Sequence, residues 1–144
     1  MFVTYSSLAS GAIHAVKARR EGAGQRTFVI ILDPGEEAFS TILDFAGEQR
    51  LGATSLTALG AFSKATVGWF DPAGKTYREI PVTQQCEVLS SLGDIAIDDG
   101  GKPSLHVHVV LGLSDGTTRG GLSPLIVTSD RVITFRMSAL RLGG

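Results

Sequence analysis

The sequence predicts an α+β fold, a single compact domain in which a curved, largely antiparallel mixed sheet packs against one principal helix. Residues 105–112 alternate apolar side chains with two histidines, which is typical of a strand with one buried face. Residues 28–32 form a short apolar run that ends at a turn signal and is followed by residues with helical spacing. From residue 54 onward, β-rich segments alternate with Gly- and Pro-containing turns.

The helix follows the first buried strand. The apolar residues 28–32 stop at Asp33-Pro34-Gly35, which is a strong turn signal. Two glutamates then suit a helix first turn, because carboxylates complement the helix dipole. Apolar residues at helical spacing continue to Phe45 and Ala46, so we predict a helix over residues 36–50 that stops before Gly52.

The remaining strands follow from alternating or continuous apolar stretches between turns. Asp115-Gly116 suits the centre of a hairpin turn, because this dipeptide accepts positive φ. A run rich in Asp and Gly before Pro103 predicts a loop. We predict strands over residues 55–62, 66–70, 76–82, 86–97, 105–112, 124–128 and 132–137.

Composition restricts the function classes. The chain has 144 residues, 43% hydrophobic and 19% charged, which suits one globular domain with a proper core. With 13 basic and 14 acidic residues the net charge is −1, so the chain as a whole lacks the strong positive charge typical of nucleic-acid binding. A local basic patch remains compatible with this balance.

The expected cellular location rests on three sequence features: apolar runs, the N-terminal pattern and the number of cysteines. No apolar run approaches the roughly 20 residues of a membrane helix, and the N-terminal residues lack the pattern of a signal peptide. Cys86 is the single cysteine, so no disulfide forms within the chain. We expect a cytoplasmic protein with no membrane partner.

The first 27 residues are weakly patterned and basic. We assign residues 1–27 to an N-terminal arm and residues 28–140 to the folded domain. Lys17, Arg19, Arg20 and Arg26 are candidate phosphate contacts. The alternative, which short charge runs favour, is a solvated and partly mobile arm.

The histidine strand supplies the candidate site. Strand alternation places His106 and His108 on the face opposite Val107 and Val109, and we expect them in a polar cleft near Gly120. Neutral imidazoles at this spacing are close enough to share a zinc ion, but zinc sites use at least three protein ligands. Glu87, Cys86 and His14 are candidates for the third. The structural alternative is two histidines hydrogen-bonded to carbonyls or water.

Several segments together resemble the plant and prokaryote conserved (PPC) domain family. The resemblance covers about residues 28–137. The order and spacing of the matching segments are more specific to the family than any single segment. The matching pieces are Leu32-Asp33-Pro34-Gly35-Glu36, Gly60-Ala61-Phe62-Ser63, Gly68-Trp69-Phe70-Asp71, Glu87-Val88-Leu89-Ser90, Gly93-Asp94-Ile95, His106-Val107-His108 and Gly120-Gly121.

This resemblance implies a curved sheet with one prominent helix, assembly as a homotrimer, and DNA as the presumed partner. Plant members often carry an AT-hook, an Arg-Gly-Arg-Pro-like segment that enters the minor groove, whereas bacterial members usually stand alone. This chain departs from the family in two respects, since it has no AT-hook and its Gly120-Gly121 pair continues with Leu122 instead of His. In some prokaryotic relatives that His joins the His-x-His pair around a metal, so Leu122 weakens the case for zinc.

Two functional hypotheses remain. The first, which we favour, is a non-enzymatic, oligomeric PPC-type protein that binds DNA. The second is a metal-assisted enzyme or small-molecule-binding protein with a site at His106, His108 and Glu87, beside Gly120, Gly121 and Leu122. The sequence contains no nucleophile elbow, Walker loop or His-Glu-x-x-His motif. Trp69 and Phe70 are expected to pack in the core or in a subunit contact.

Overall fold

One helix and ten strands make up the described part of the chain. The computed structural model describes the backbone of residues 2–5, 13–21, 25–32, 34–123, 127–129 and 133–140, and the side chains of residues 26–32 and 34–122. The elements are β1 (Phe2–Tyr5), β2 (Ile13–Glu21), β3 (Gln25–Leu32), α1 (Ala38–Glu48), β4 (Ala53–Asp71), β5 (Thr76–Val82), β6 (Cys86–Ile97), β7 (Pro103–Gly112), β8 (Thr118–Ser123), β9 (Val127–Ser129) and β10 (Ile133–Leu140).

The strands form one antiparallel sheet that folds back on itself. Its order is β1-β2-β3-β10-β4-β6-β7-β8, with β5 and β9 paired to β4. Strand β8 returns to β4 through the pair Gly68 and Leu122, so β4, β6, β7 and β8 close a ring. The predicted α+β class, with a largely antiparallel sheet and one helix, is confirmed.

The hydrophobic core lies between the helix and the face of the sheet that we call the inner face. Phe28 of β3 packs edge-on against Phe45 of α1, with ring centroids 5.3 Å apart. Inner-face residues of the central strands, including Leu56, Ile95 and Val107, are at most 1% exposed. Burial of this apolar surface is the main stabilising contribution to the fold. We call the opposite side of the sheet the outer face.

The helix is shorter than predicted because both ends are capped earlier. The Glu37 carboxylate accepts hydrogen bonds from the backbone amides of Phe39 (3.2 Å) and Ser40 (2.6 Å), so Glu37 is the N-cap. At the other end Arg50 adopts a positive φ of 52°, and the Leu51 amide donates to the Ala46 carbonyl at 2.9 Å. This is a Schellman ending with arginine where glycine is usual.

Three segments differ from the sequence-based expectation, one of them being β8 (Thr118–Ser123), where no strand was predicted. Residues 2–5 and 13–21 form β1 and β2, and β2 pairs along its length with β3, so these parts of the predicted arm are strands of the sheet. Residues 55–62 and 66–70 were expected as two paired strands but belong to the single 19-residue strand β4. Register shifts near Thr57 and Phe62 let this strand bend and exchange partners without a turn.

The helix α1 spans 11 residues. Within the described ranges, no helix is long and apolar enough to cross a membrane.

Candidate functional site

Strand β7 presents its two histidines on the outer face. His106 and His108 are exposed, whereas Val107, Val109 and Leu111 between and beyond them are buried. The two imidazole ring centroids lie 5.3 Å apart with an interplanar angle of 66°. The predicted side-by-side arrangement of the pair is confirmed, and strand alternation is its physical cause.

Cross-strand register extends each histidine into a row that crosses the sheet. Directly opposite residues of antiparallel strands share a face, so each row lies on the outer face. The His108 row consists of Lys17, Val29, Arg136, Thr57, Leu92, His108 and Leu122. The His106 row consists of Arg19, Thr27, Ser138, Ser55, Asp94 and His106.

The immediate neighbours of the histidines decide how well they fit a metal. Leu122 stands opposite His108 on β8, and Asp94 stands opposite His106 on β6. Among the residues that the structure describes, no group of three His, Cys, Asp or Glu side chains is placed to hold a metal ion. Since zinc sites need at least three protein ligands, these residues of one chain do not complete a zinc site.

Glu87 lies far from the histidine pair. It is opposite Gly112 near the start of β6, and Gly112 is four positions beyond His108 on β7, which corresponds to about 13 Å along the strand. The structure therefore does not bring together the three residues that the second hypothesis combined. Glu87 and Cys86 instead line a separate depression of about 530 Å³ with Leu89 and Thr118.

Cys86 has the character of a buried, unreactive thiol. Its side chain is 2% exposed. Burial raises the pKa of the thiol and the neighbouring Glu87 carboxylate raises it further, against a backbone hydrogen bond at Phe62 that lowers it. A raised pKa reduces the thiolate fraction, so Cys86 is a poor candidate for a nucleophile.

A groove of about 550 Å³ opens on the outer face beside His108. We call it the Trp69 groove. It is lined by Gly68, Trp69, Phe70, Ser90, Leu92, His108, Val109, Val110, Gly120, Gly121 and Leu122. The prediction of a polar cleft at this place was wrong, because the side chains around His108 are mostly apolar. Leu92 and Leu122, the two cross-strand neighbours of His108, are the direct reason.

Two aromatic residues of this groove were also expected in the core or in a subunit contact. Trp69 is 59% exposed and Phe70 is 46% exposed, so neither belongs to the core of this chain. Phe70 packs against Tyr77 of β5 with ring centroids 5.2 Å apart. The β4–β5 hairpin therefore carries three exposed aromatic residues, of which Trp69 and Phe70 line the groove.

The four predicted phosphate contacts divide between the two faces. Lys17 and Arg19 stand in the two outer-face rows, whereas Arg20 is opposite Arg26, on the helix side. The Arg26 guanidinium donates to the Gln49 carbonyl at 3.3 Å and lies over the Phe28 ring, 5.3 Å from its centroid. The Arg26 side chain therefore binds a backbone carbonyl at the C-terminal end of α1.

Arg136 of β10 was not among the candidate phosphate contacts predicted from the sequence. It shares the His108 row with Lys17, and by strand spacing it lies about 14 Å from His108 across β4 and β6. No local sequence pattern could have found it, because its placement depends on pairing between strands that are distant in sequence.

Comparison with known proteins agrees with the fold. A family model described as the Plants and Prokaryotes Conserved (PCC) domain matches residues 19–127. Among curated proteins, none matches the chain. Structural similarity is found to a metal-containing protein from Archaeoglobus fulgidus, with 28% identity, 83% of each chain covered and a TM-score of 0.74.

Two further structures share the fold. A plant- and prokaryote-conserved (PPC) protein from Pyrococcus horikoshii is 24% identical over 89% of this chain and 83% of its own, with a TM-score of 0.74. A protein from Bacteroides thetaiotaomicron, provisionally named as DNA-binding, is 18% identical over 90% of this chain and 85% of its own, with a TM-score of 0.72. With the family model matching most of its length, the chain belongs to the Plants and Prokaryotes Conserved domain family, for which PCC and PPC are alternative abbreviations.

Proposed function

We propose that this chain is a non-enzymatic, oligomeric DNA-binding protein of the PPC type. Family membership supports the proposal, as do the provisional names of two structural neighbours, from Bacteroides thetaiotaomicron and Ralstonia eutropha. The observation that carries it is the alignment of Lys17, Arg19 and Arg136 in the two outer-face rows. This alignment concentrates basic residues on one face of a chain whose net charge is only −1.

Such a face suits contacts to phosphates. Lys and Arg attract the nucleic-acid backbone irrespective of sequence, and their binding displaces counterions from it. The polar residues Ser55 and Thr57 continue the same two rows on β4 and are exposed. Hydroxyl groups of this kind also donate hydrogen bonds to phosphate oxygens.

Titration of a labelled oligonucleotide at several salt concentrations tests the proposal. We expect binding that weakens steeply with salt, and the Lys17→Ala and Arg136→Ala variants should each reduce the slope of log K against log salt by about one. Arg20→Ala is the matched control, because it removes the same kind of charge from the helix side of β2. Salt-independent binding, or an equal loss with all three variants, would contradict the proposal.

The second candidate is a small-molecule or metal-assisted site at the histidine pair. The Trp69 groove beside His108 favours it, because ligand pockets are typically apolar depressions of about 300–1,000 Å³ with a few polar groups. Metal analysis of the purified protein decides this alternative. Bound metal together with no affinity for DNA would replace the first proposal with the second.

A further inference from the structure

The Trp69 groove exists because the outer face lacks side chains at two adjoining positions. Gly68 of β4 is opposite Leu122, and Gly120 of β8 is opposite Val110, so both glycines stand on the outer face. Around them rise Phe70, Leu92, His108 and Leu122, which leaves a depression with a floor of backbone. A Cβ added at Gly120 would lie 3.2 Å from the Val109 carbonyl oxygen, so even a methyl group would crowd this floor.

The surroundings of the depression suit a flat ring. Trp69 and Phe70 present aromatic surface, and the His108 imidazole and Ser90 hydroxyl supply hydrogen-bonding groups. Aromatic side chains exposed on a sheet are the usual platform for unpaired bases, which stack on them irrespective of sequence. Bases in an intact duplex are stacked on one another and cannot enter such a groove without leaving the helix.

The two rows differ in the charge that they offer to phosphates. The His108 row leads from Lys17 and Arg136 into the groove and contains no acidic residue. The His106 row contains Asp94, directly opposite His106. On the other side of the groove, Glu79 of β5 is opposite Gly68. A polyanion entering the groove therefore meets the least repulsion along the His108 row.

From this arrangement we propose that the ligand is single-stranded DNA, with an unpaired base in the Trp69 groove and the adjoining phosphates along the His108 row. This inference rests on the proposed DNA-binding function and specifies its substrate class. The combination of a basic track with aromatic stacking surfaces is the one that sequence-tolerant single-strand binding requires.

Trp69 provides a direct measurement, because it is the single tryptophan of the chain and is exposed. We expect a single-stranded oligonucleotide to quench its fluorescence in a saturable manner. An oligonucleotide of the same length with abasic sites should bind more weakly and leave the emission nearly unchanged, since it keeps the phosphates but lacks the stacking groups. The matching duplex should also leave the emission unchanged.

Substitutions in the groove provide the second measurement. Trp69→Ala should weaken single-strand affinity between about five- and one-hundredfold, as read from the anisotropy of a labelled oligonucleotide. Asp94→Asn should strengthen it, because a negative charge beside the histidines is removed. Leu59→Ala is the matched control, since Leu59 is an equally accessible apolar residue, 65% exposed, and does not line the groove.

The outcomes separate this inference from the proposed function. Salt-dependent binding of duplex in preference to single strand, with Trp69 emission unchanged, would leave DNA binding intact and overturn the inference. No binding of either form would overturn both. Strong protection of Trp69 from iodide in the free protein, lost together with oligomerisation in Leu92→Asp, would show that a second copy occupies the groove and would also overturn the inference.

Discussion

Leu122 lies directly opposite His108 on the neighbouring strand, with its side chain on the same face of the sheet. Directly opposed residues of an antiparallel pair have their Cβ atoms about 4.5–5.5 Å apart. An imidazole at position 122 would therefore stand beside the histidine pair, where this chain places an alkyl group. The residue at position 122 therefore decides whether a third imidazole stands beside the histidine pair.

We accordingly expect Leu122→His to create a zinc site. Three imidazoles on adjoining strands supply the minimum number of protein ligands, and water can take the fourth position. Isothermal titration should show one zinc ion per chain for this variant and weak or no binding for the unmodified protein. Binding should weaken at acid pH, because protons compete with the metal for the imidazole nitrogens.

Two controls define this result. Leu122→Ala removes the same alkyl group without adding a ligand and should not bind zinc, whereas His106→Ala in the Leu122→His background should lose the site. Stoichiometric zinc in the unmodified protein, held by His106, His108 and a third histidine, would show that the reading of Leu122 is wrong.

We expect the protein to be a homotrimer. The family resemblance implies this state, and exposed apolar residues such as Leu89 and Ile97, outside the Trp69 groove, provide surface that a subunit contact would cover. Light scattering coupled to size exclusion should give three times the chain mass of 15.1 kDa. A monomer at micromolar concentration would contradict the expectation.

Gly93 should be essential for the pairing of β6 with β7. A Cβ at this position would collide with the His106 carbonyl oxygen and would approach Val107 Cγ2 to 2.7 Å, so the two strands would have to separate. We expect Gly93→Ala to lower the free energy of unfolding by about 3 kcal/mol, measured by urea denaturation.

The helical residue Gly47 provides the control for this substitution. A Cβ there meets nothing within 4 Å, so Gly47→Ala should stabilise the protein by about 0.5–1 kcal/mol. Equal effects of the two substitutions would show that crowding between β6 and β7 does not explain the need for Gly93.

Cys86 should react slowly with thiol reagents until the protein unfolds. Burial both raises the pKa of the thiol and blocks access to it. We expect the reaction with a disulfide reagent at mildly alkaline pH to be at least about a hundredfold slower in the native protein than in urea. Rapid native labelling would contradict the burial of Cys86.

The raised pKa of Cys86 also has a consequence for stability. The thiol ionises at lower pH in the unfolded chain than in the folded one, so its contribution to stability is fully present below the unfolded pKa. That contribution is lost as pH rises through the folded pKa. A Cys86→Ala variant should therefore lose less stability than the unmodified protein between neutral and alkaline pH, as followed by urea denaturation.

Local patterns predicted the elements whose faces differ in polarity. The alternation in β7 fixed the exposure of His106 and His108, and apolar spacing located the helix. Strand β2 was not predicted, because its basic residues interrupt the alternation of apolar and polar side chains that identifies a strand. Its strand conformation depends on pairing with β3, which is not visible in the local sequence. The apolar character of the groove was missed because it arises mainly from Leu92 and Leu122, which are far from His108 in sequence and are placed beside it by strand pairing.

Strand β4 has hydrogen-bonded partners on both sides in each of its halves. The opening of the central part of the sheet therefore depends on this one strand. Its first half is held between β10 and β6, and its second half between β5 and the pair β8 and β9. The strands on the two sides of β4 cannot separate from each other without breaking hydrogen bonds to this strand. Amides of β4 should therefore exchange with solvent only through global unfolding, whereas those of the edge strand β5 should exchange through local opening.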